Sequence, residues 1–196
     1  MEYNIYALGI MTAIISFLGF VVENVWLMMT KGYINNRNMN MPFLLGYGLL
    51  IMFMYFTLGT PRKLAKWSVF KKIKTKFAKY AVYFLCAMIL VSIGEIILGT
   101  VVEEFCGFEY WNYTNLPLHI TKYTSVPTSM AFAAMITFVM GKLFTPIMNW
   151  IMQMDATWVR IIGIVLIVVM VSDFFVSFYH MLHDKNFYLK WKIVLK

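Results

Sequence analysis

The chain has 196 residues, 61% hydrophobic, 18% aromatic and only 13% charged. A soluble domain of this size is about half apolar and about a quarter charged, so this chain carries more apolar surface than one small core can hide. Those proportions exclude a soluble enzyme, a disordered tail and a collagen-like fibre, and leave an all-α, polytopic helical membrane protein.

A crossing needs about 20 mainly apolar residues, and five stretches qualify: 5–29, 43–58, 83–105, 126–144 and 159–179. The first has no Lys or Arg before Lys31 and no small-residue cleavage site after it, so it is expected to be retained rather than removed as a signal peptide. The second is short and carries Gly46 and Gly48. The fourth is expected to start after Pro127 and end before Pro146, its limits set by helix breakers. The whole of 1–196 reads as one integral membrane domain, with a first unit over about 3–60, a basic connection over 61–79, a second unit over about 83–145 and an additional helix over about 158–180.

Positive charge sets orientation. The connection between the second and third stretches holds Arg62, Lys63, Lys66, Lys71, Lys72, Lys74, Lys76 and Lys79. It is expected on the cytoplasmic side of the membrane, which places the N-terminus inside. Lys185, Lys190, Lys192 and Lys196 then fall outside, against the rule. Within the connection Leu64, Trp67, Phe70, Ile73, Phe77 and Tyr80 recur every three or four residues. That pattern predicts an amphipathic helix lying on the bilayer, with Lys63, Lys66, Lys71, Lys72, Lys74 and Lys76 facing anionic headgroups and Trp67 buried among them. The net charge of +8 therefore points to lipid as the partner and not to nucleic acid.

The chain resembles itself at an offset of 80. Leu18-Gly19-Phe20-Val21-Val22-Glu23 aligns with Leu98-Gly99-Thr100-Val101-Val102-Glu103, and Tyr33 and Asn35 align with Tyr113 and Asn115. An even number of crossings per repeat predicts parallel two-helix units.

An acid within a span costs at least about 2.5 kcal/mol and calls for a reason. The spans carry Glu23, Glu95, Glu103 and Asp173. Glu95, Gly99 and Glu103 follow i, i+4, i+8 spacing and share one helical stripe. In the proposed orientation the acids gather in the outer half of the bilayer. Partners are expected in the outer connections: Asn36 and Arg37 in the first, Trp111, Asn112, Tyr113 and His119 in the second. Arg37 is placed to pair with Glu23 or Glu103. Two readings stay open: the pairs glue helices together, or they line an outward-facing substrate path, with Asp173 and His119 as secondary members.

His119, His180 and His183 lack the spacing of a metal site. No phosphate-binding Gly-x-x-x-x-Gly-Lys motif is present, nor a nucleophile signature, and no cofactor is expected.

The motif order resembles the bacterial membrane family described as "putative ABC-transporter type IV permease". That family carries Gly-x-x-x-Glu in its first helix, then Asn-Arg-Gly. Here these positions read Gly19 to Glu23 and Asn36-Arg37-Asn38, followed by Pro42-Phe43-Leu44-Leu45-Gly46-Tyr47-Gly48. Its second block, Glu-x-x-x-Gly-x-x-x-Glu then Trp-Asp-Tyr-Ser, reads here as Glu95, Gly99, Glu103 and Trp111-Asn112-Tyr113-Thr114, before Asn115-Leu116-Pro117-Leu118. Asn38 stands where the family has Gly, and Asn112 where it has Asp. The resemblance implies a transport-associated component, working alone, as a homo-oligomer, or with separate ATPase or other membrane subunits. The residues themselves leave two alternatives: a membrane-embedded enzyme acting on a lipid, and a non-catalytic partner or immunity-type protein.

Overall fold

The computed structural model describes residues 3–64, 70 and 72–195. Among the described residues four helices are long and apolar enough to cross a membrane: Ile5–Lys31 (α1), Lys76–Cys106 (α3), the continuous run Val126–Gln153, and Ala156–Asp184 (α6). The remaining apolar stretch forms α2, Leu45–Thr57, of 13 residues. All five stretches are thus helical, and the chain is a polytopic helical membrane protein. The large apolar side chains that stay exposed form continuous faces, such as Ile89, Ile93 and Ile97 on α3 at four-residue spacing. Such faces are untenable in water and suit lipid.

Local chemistry sets the helix ends. Asn4 accepts the amide of Ala7 and opens α1, and Asp155 accepts the amides of Thr157 and Trp158 to open α6. Gly32 and Gly107 close α1 and α3 in the left-handed conformation, at φ 68° and 79°.

The helix over 126–153 does not stop before Pro146. It runs as α4 (Val126–Phe138), a π-helical segment (Val139–Leu143) and α5 (Phe144–Gln153). Pro146 falls in the first turn of α5, just after that widened segment, where Phe144 N–H reaches back to Val139 O. The wider turn relieves the clash that a proline imposes on a regular helix, so the breaker is absorbed.

The basic connection is described only in part. Pro61–Lys63 forms one 3-10 turn, Ile73 and Lys74 are non-helical, and Lys76 already belongs to α3. Lys66, Trp67 and Lys71 lie outside the described residues.

The chain divides into two compact units, 1–52 with 147–196, and 53–146. In the first, the main partner of α1 is α6, the helix that sequence order sets apart as an addition. The two run parallel: Tyr6 and Gly9 of α1 meet Gly163 and Ile167 of α6. Ala13, Leu45 and Met170 form a buried cluster with Phe43, Leu166 and Phe174 around it. Residues 188–195 fold back over the loop that follows α1. There Lys192–Val194 (β4) pairs antiparallel with Tyr33–Asn35 (β1). In the second unit α3 packs antiparallel on α4, with Tyr83, Ala87 and Val91 buried at four-residue spacing. His119–Thr121 (β2) and Thr124–Ser125 (β3) form a tight hairpin that leads into α4.

The α1–α6 contact generates a prediction. A Cβ on Gly163 would lie 2.6 Å from the carbonyl oxygen of Tyr6, a backbone atom that cannot swing aside. Gly94 has no neighbour within 4 Å of such an atom. Gly163→Ala should destabilise the purified protein by about 1–3 kcal/mol, read as a lower thermal midpoint in detergent, while Gly94→Ala leaves the midpoint unchanged or slightly raised.

Candidate functional site

Each unit holds a carboxylate in the same way. In the first, Gly19 leaves room for the ring of Tyr47, whose Cγ lies 2.5 Å from where a Cβ would sit. With its ring against the helix there, the Tyr47 hydroxyl donates to Glu23 Oε1 at 2.5 Å. Arg37 Nη2 donates to Glu23 Oε2 at 2.9 Å. In the second, the ring of Tyr123 occupies the space beside Gly99, and its hydroxyl donates to Glu103 Oε2. Lys122 Nζ donates to Glu103 Oε1 at 2.5 Å. One pattern therefore recurs: a glycine one turn before a glutamate, a tyrosine laid over the glycine, and a cation on the other carboxylate oxygen.

The surroundings differ. Glu23 and Arg37 side chains keep 23% and 24% of their surface exposed, whereas Lys122, Glu103 and Glu109 keep 36%, 36% and 41%. Lys122 also lies 3.2 Å from Glu109, so one ammonium bridges two carboxylates at a mouth that water reaches. Asn112 Nδ2 donates to Glu109 Oε2 at 2.8 Å, while Asn112 Oδ1 accepts from the amide and hydroxyl of Thr114. An Asp here would keep the Thr114 contacts, lose the donor and set a like charge against Glu109. Trp111 Nε1 donates to the carbonyl of Tyr123 at 2.8 Å and its ring meets the Tyr123 ring edge-on. Tyr113 N–H donates to the Lys122 carbonyl. The amide of Asn112 and the bridging Lys122 hold the Glu109 carboxyl below its ordinary range. Lys122 is held protonated beyond its ordinary range, chiefly by its bond to Glu103. Burial, then the bond to Glu103, raises the Tyr123 phenol.

Glu95 sits deeper, on the same stripe of α3. Thr124 Oγ1 donates to Glu95 Oε2 at 2.7 Å, lies 3.0 Å from Ser129 Oγ, and Ser129 Oγ is 2.9 Å from Ser92 Oγ. Ser92 Oγ is also 3.0 Å from the carbonyl of Met88. Thr124 and Ser129 are fully buried. The chain can be ordered two ways. With Glu95 ionised, Ser92 donates to Ser129, Ser129 to Thr124, and Thr124 to the carboxylate. With Glu95 protonated, every hydroxyl turns round and the last donates to Met88 O. Both charge states are hydrogen-bonded, which a buried polar chain must satisfy to avoid a heavy penalty.

The remaining expected residues hold loops. Asp173 is 6% exposed and accepts the amides of Asn40 and Met41, the side chain of Asn40 and the hydroxyl of Ser177. Asn36 is 2% exposed, donating to the carbonyls of Met39 and Tyr188 and accepting the amide of Lys190. It ties the folded-back segment 188–190 to the loop. Arg37 and Asn38 adopt φ 48° and 62°, a left-handed pair that a glycine takes freely and Asn tolerates best otherwise. His119 is exposed, with Nδ1 3.2 Å from the Leu116 carbonyl. Among the described residues no group of three His, Cys, Asp or Glu could hold a metal ion.

Sequence reading missed Tyr47, Tyr123 and Lys122 as partners of the two glutamates. Tyr47 lies in the first turn of α2 and Tyr123 in the β2–β3 turn, an offset of 76 rather than 80, so a fixed-offset comparison passes over the pair. Asn24, which accepts the amide of Asn35, was also missed.

The matching pattern extends beyond these motifs. The family described as "Putative ABC-transporter type IV" matches residues 10–178. The chain belongs to that family. No curated protein and no solved structure matches it significantly. The match and the apolar helices together show a membrane protein of that family.

The cluster around Lys122 predicts a pH response. Glu109 titrates below its ordinary range, so its contribution to stability is full above the ordinary carboxylate range and is lost progressively as pH falls from there through the lowered value. Lys122 titrates above its ordinary range, so its contribution is full below the ordinary lysine range and is lost only as pH rises beyond it. Thermal midpoints of the wild type should therefore be level at neutral pH and fall progressively below the ordinary carboxylate range. In Lys122→Gln the midpoint should be lower at neutral pH and the acid decline shallower, so that the two curves converge as pH falls, because Glu109 has lost its cation.

Proposed function

We propose that the protein is the permease-like membrane component of a transport system, with its polar path running along α3 and α4 of the second unit from an outward-facing mouth. The mouth is the half-exposed Glu103–Lys122–Glu109 cluster, flanked by Trp111, Asn112 and Tyr113. Glu95 and its hydroxyl chain continue inward. Ser92 lies about 16 Å along α3 from Glu103, roughly half the hydrocarbon thickness. The observation that carries this reading is the reversible chain at Glu95: an acid used only as glue needs one fixed set of partners, whereas this one is satisfied both with and without its proton. That is the behaviour of a group that takes up and releases a proton or a polar substrate group within a membrane. Glu23 with Arg37, by contrast, is a clamp, and Asp173 a loop anchor. With no nucleotide-binding motif of its own, such a component takes its energy from a separate ATPase subunit. The basic connection faces the cytoplasm in this arrangement and the N-terminus is inside.

Two measurements test this. Affinity purification of the full chain from its native membrane in mild detergent should recover an ATPase subunit. Glu95→Gln should keep that association and the thermal midpoint, yet fail to restore the transport-linked phenotype of a deletion strain, whereas full restoration would contradict the path. On orientation, in a background with Cys86 and Cys106 replaced by Ser, a membrane-impermeant thiol reagent applied outside should label Asn112→Cys and spare Lys72→Cys. The reverse pattern would invert the mouth.

A further inference from the structure

Residues 24–94 contain no Asp or Glu. Inside that tract, Pro61, Arg62, Lys74, Lys76, Lys79 and Tyr80 line a cavity of about 210 Å³. Among the described residues four cations line it and no carboxylate does; Glu95 is the next acid along α3, about 22 Å beyond Tyr80. Two hydrogen bonds hold the backbone elements that frame it. Tyr83 donates to the carbonyl of Gly59 at 3.1 Å, which holds the turn carrying Pro61 and Arg62 against α3. Tyr80 donates to the carbonyl of Gly141 at 3.0 Å, and its ring lies so close to Gly141 that a Cβ there would stand 2.6 Å from Tyr80 Cε1. The glycine belongs to the π-helical segment, so that irregularity seats one wall of the cavity.

The start of α3 adds to the field. A helix N-terminus carries partial positive charge and favours acids in its first turn. Here the first turn has none and instead bears Lys76 and Lys79. Repulsion of this kind is relieved by an anion. The planar fork of Arg62 with the point charges of three lysines suits the tetrahedral oxygens of a phosphate. The cavity stands at the end of a membrane-spanning helix, the level at which lipid phosphates lie.

We propose that this cavity is a discrete phosphate-binding site, filled by the phosphate of an anionic lipid headgroup or by phosphate free in the adjoining water. It differs from a general attraction of basic residues to the bilayer, because Lys63 and Lys72 belong to the same basic run yet do not line it. The proposal is independent of the transport path.

The full-length protein in nanodiscs of phosphatidylcholine, with or without an equal part of phosphatidylglycerol, is released into the gas phase, and native mass spectrometry counts retained lipid. Inorganic phosphate is titrated separately against the detergent-solubilised protein. Two charge-matched pairs are compared, Arg62→Gln with Lys74→Gln in the cavity and Lys63→Gln with Lys72→Gln outside it. Phosphatidylglycerol retention that falls at least roughly tenfold further in the cavity pair than in the outside pair supports a lipid phosphate. Saturable binding of inorganic phosphate lost in the cavity pair alone supports the free anion. Recovery in Arg62→Lys with Lys74→Arg shows that charge and not folding is read. Equal losses in the two pairs, or no preference for phosphatidylglycerol together with no phosphate binding, would overturn the site.

Discussion

An ionised carboxylate on an apolar helix must be matched, oxygen by oxygen, before the helix can sit in a bilayer. Much of this structure follows from how that requirement is met. Glu23 and Glu103 each take a tyrosine hydroxyl on one oxygen and a cation on the other. The tyrosine reaches its oxygen only because a glycine one turn earlier lets the ring lie against the helix. The cation arrives on a loop, so pairing the acid also fixes that loop: Asn35 to Asn38 in one unit, the hairpin at Lys122 and Tyr123 in the other. One device thus recurs in both units and differs in exposure: Glu23 with Arg37 is the less exposed pair, and Glu103 with Lys122 is more open to water and has Glu109 as a second acid.

The acids consequently do different work. Asp173 accepts two backbone amides, one on each oxygen, which gives it a strong hold on the loop at residues 40–41. Glu23 serves the same end through Arg37. Glu95 is set apart by the hydroxyl chain that Thr124 begins and Ser129 and Ser92 continue. A hydroxyl donates or accepts at little cost, so that chain follows the charge of Glu95 and does not dictate it. That distinction, drawn from the chemistry of the neighbours, is what the proposed transport path rests on.

Much of this was legible in the sequence. Apolar length alone located all five helical stretches, and the cost of acids in lipid singled out Glu23, Glu95, Glu103 and Asp173. The repeat at Gly19-to-Glu23 and Gly99-to-Glu103 pointed to the paired clamps. The partners were less legible because they come from loops of unequal length, where a periodic pattern carries no information. Lys122 and Tyr123 sit in a two-strand hairpin whose register, not its composition, aims them at Glu103. The continuation of the fourth helix through Pro146 was illegible for another reason: a π-helical segment is a backbone adjustment that leaves no side-chain signature beyond Gly141. The segment at residues 188–195 read only as misplaced positive charge. In the structure Lys192 lies over the ring of Tyr33 at 4.0 Å, and the strand it belongs to closes the loop beside Asn36.

Tyrosine and glutamate act as one unit in each clamp. A double-mutant cycle reads this coupling: thermal unfolding of the wild type, Tyr123→Phe, Glu103→Gln and the double variant in one detergent. A coupling of about 1–2 kcal/mol is expected, with the second substitution costing little once the first is made. Strictly additive losses would contradict it.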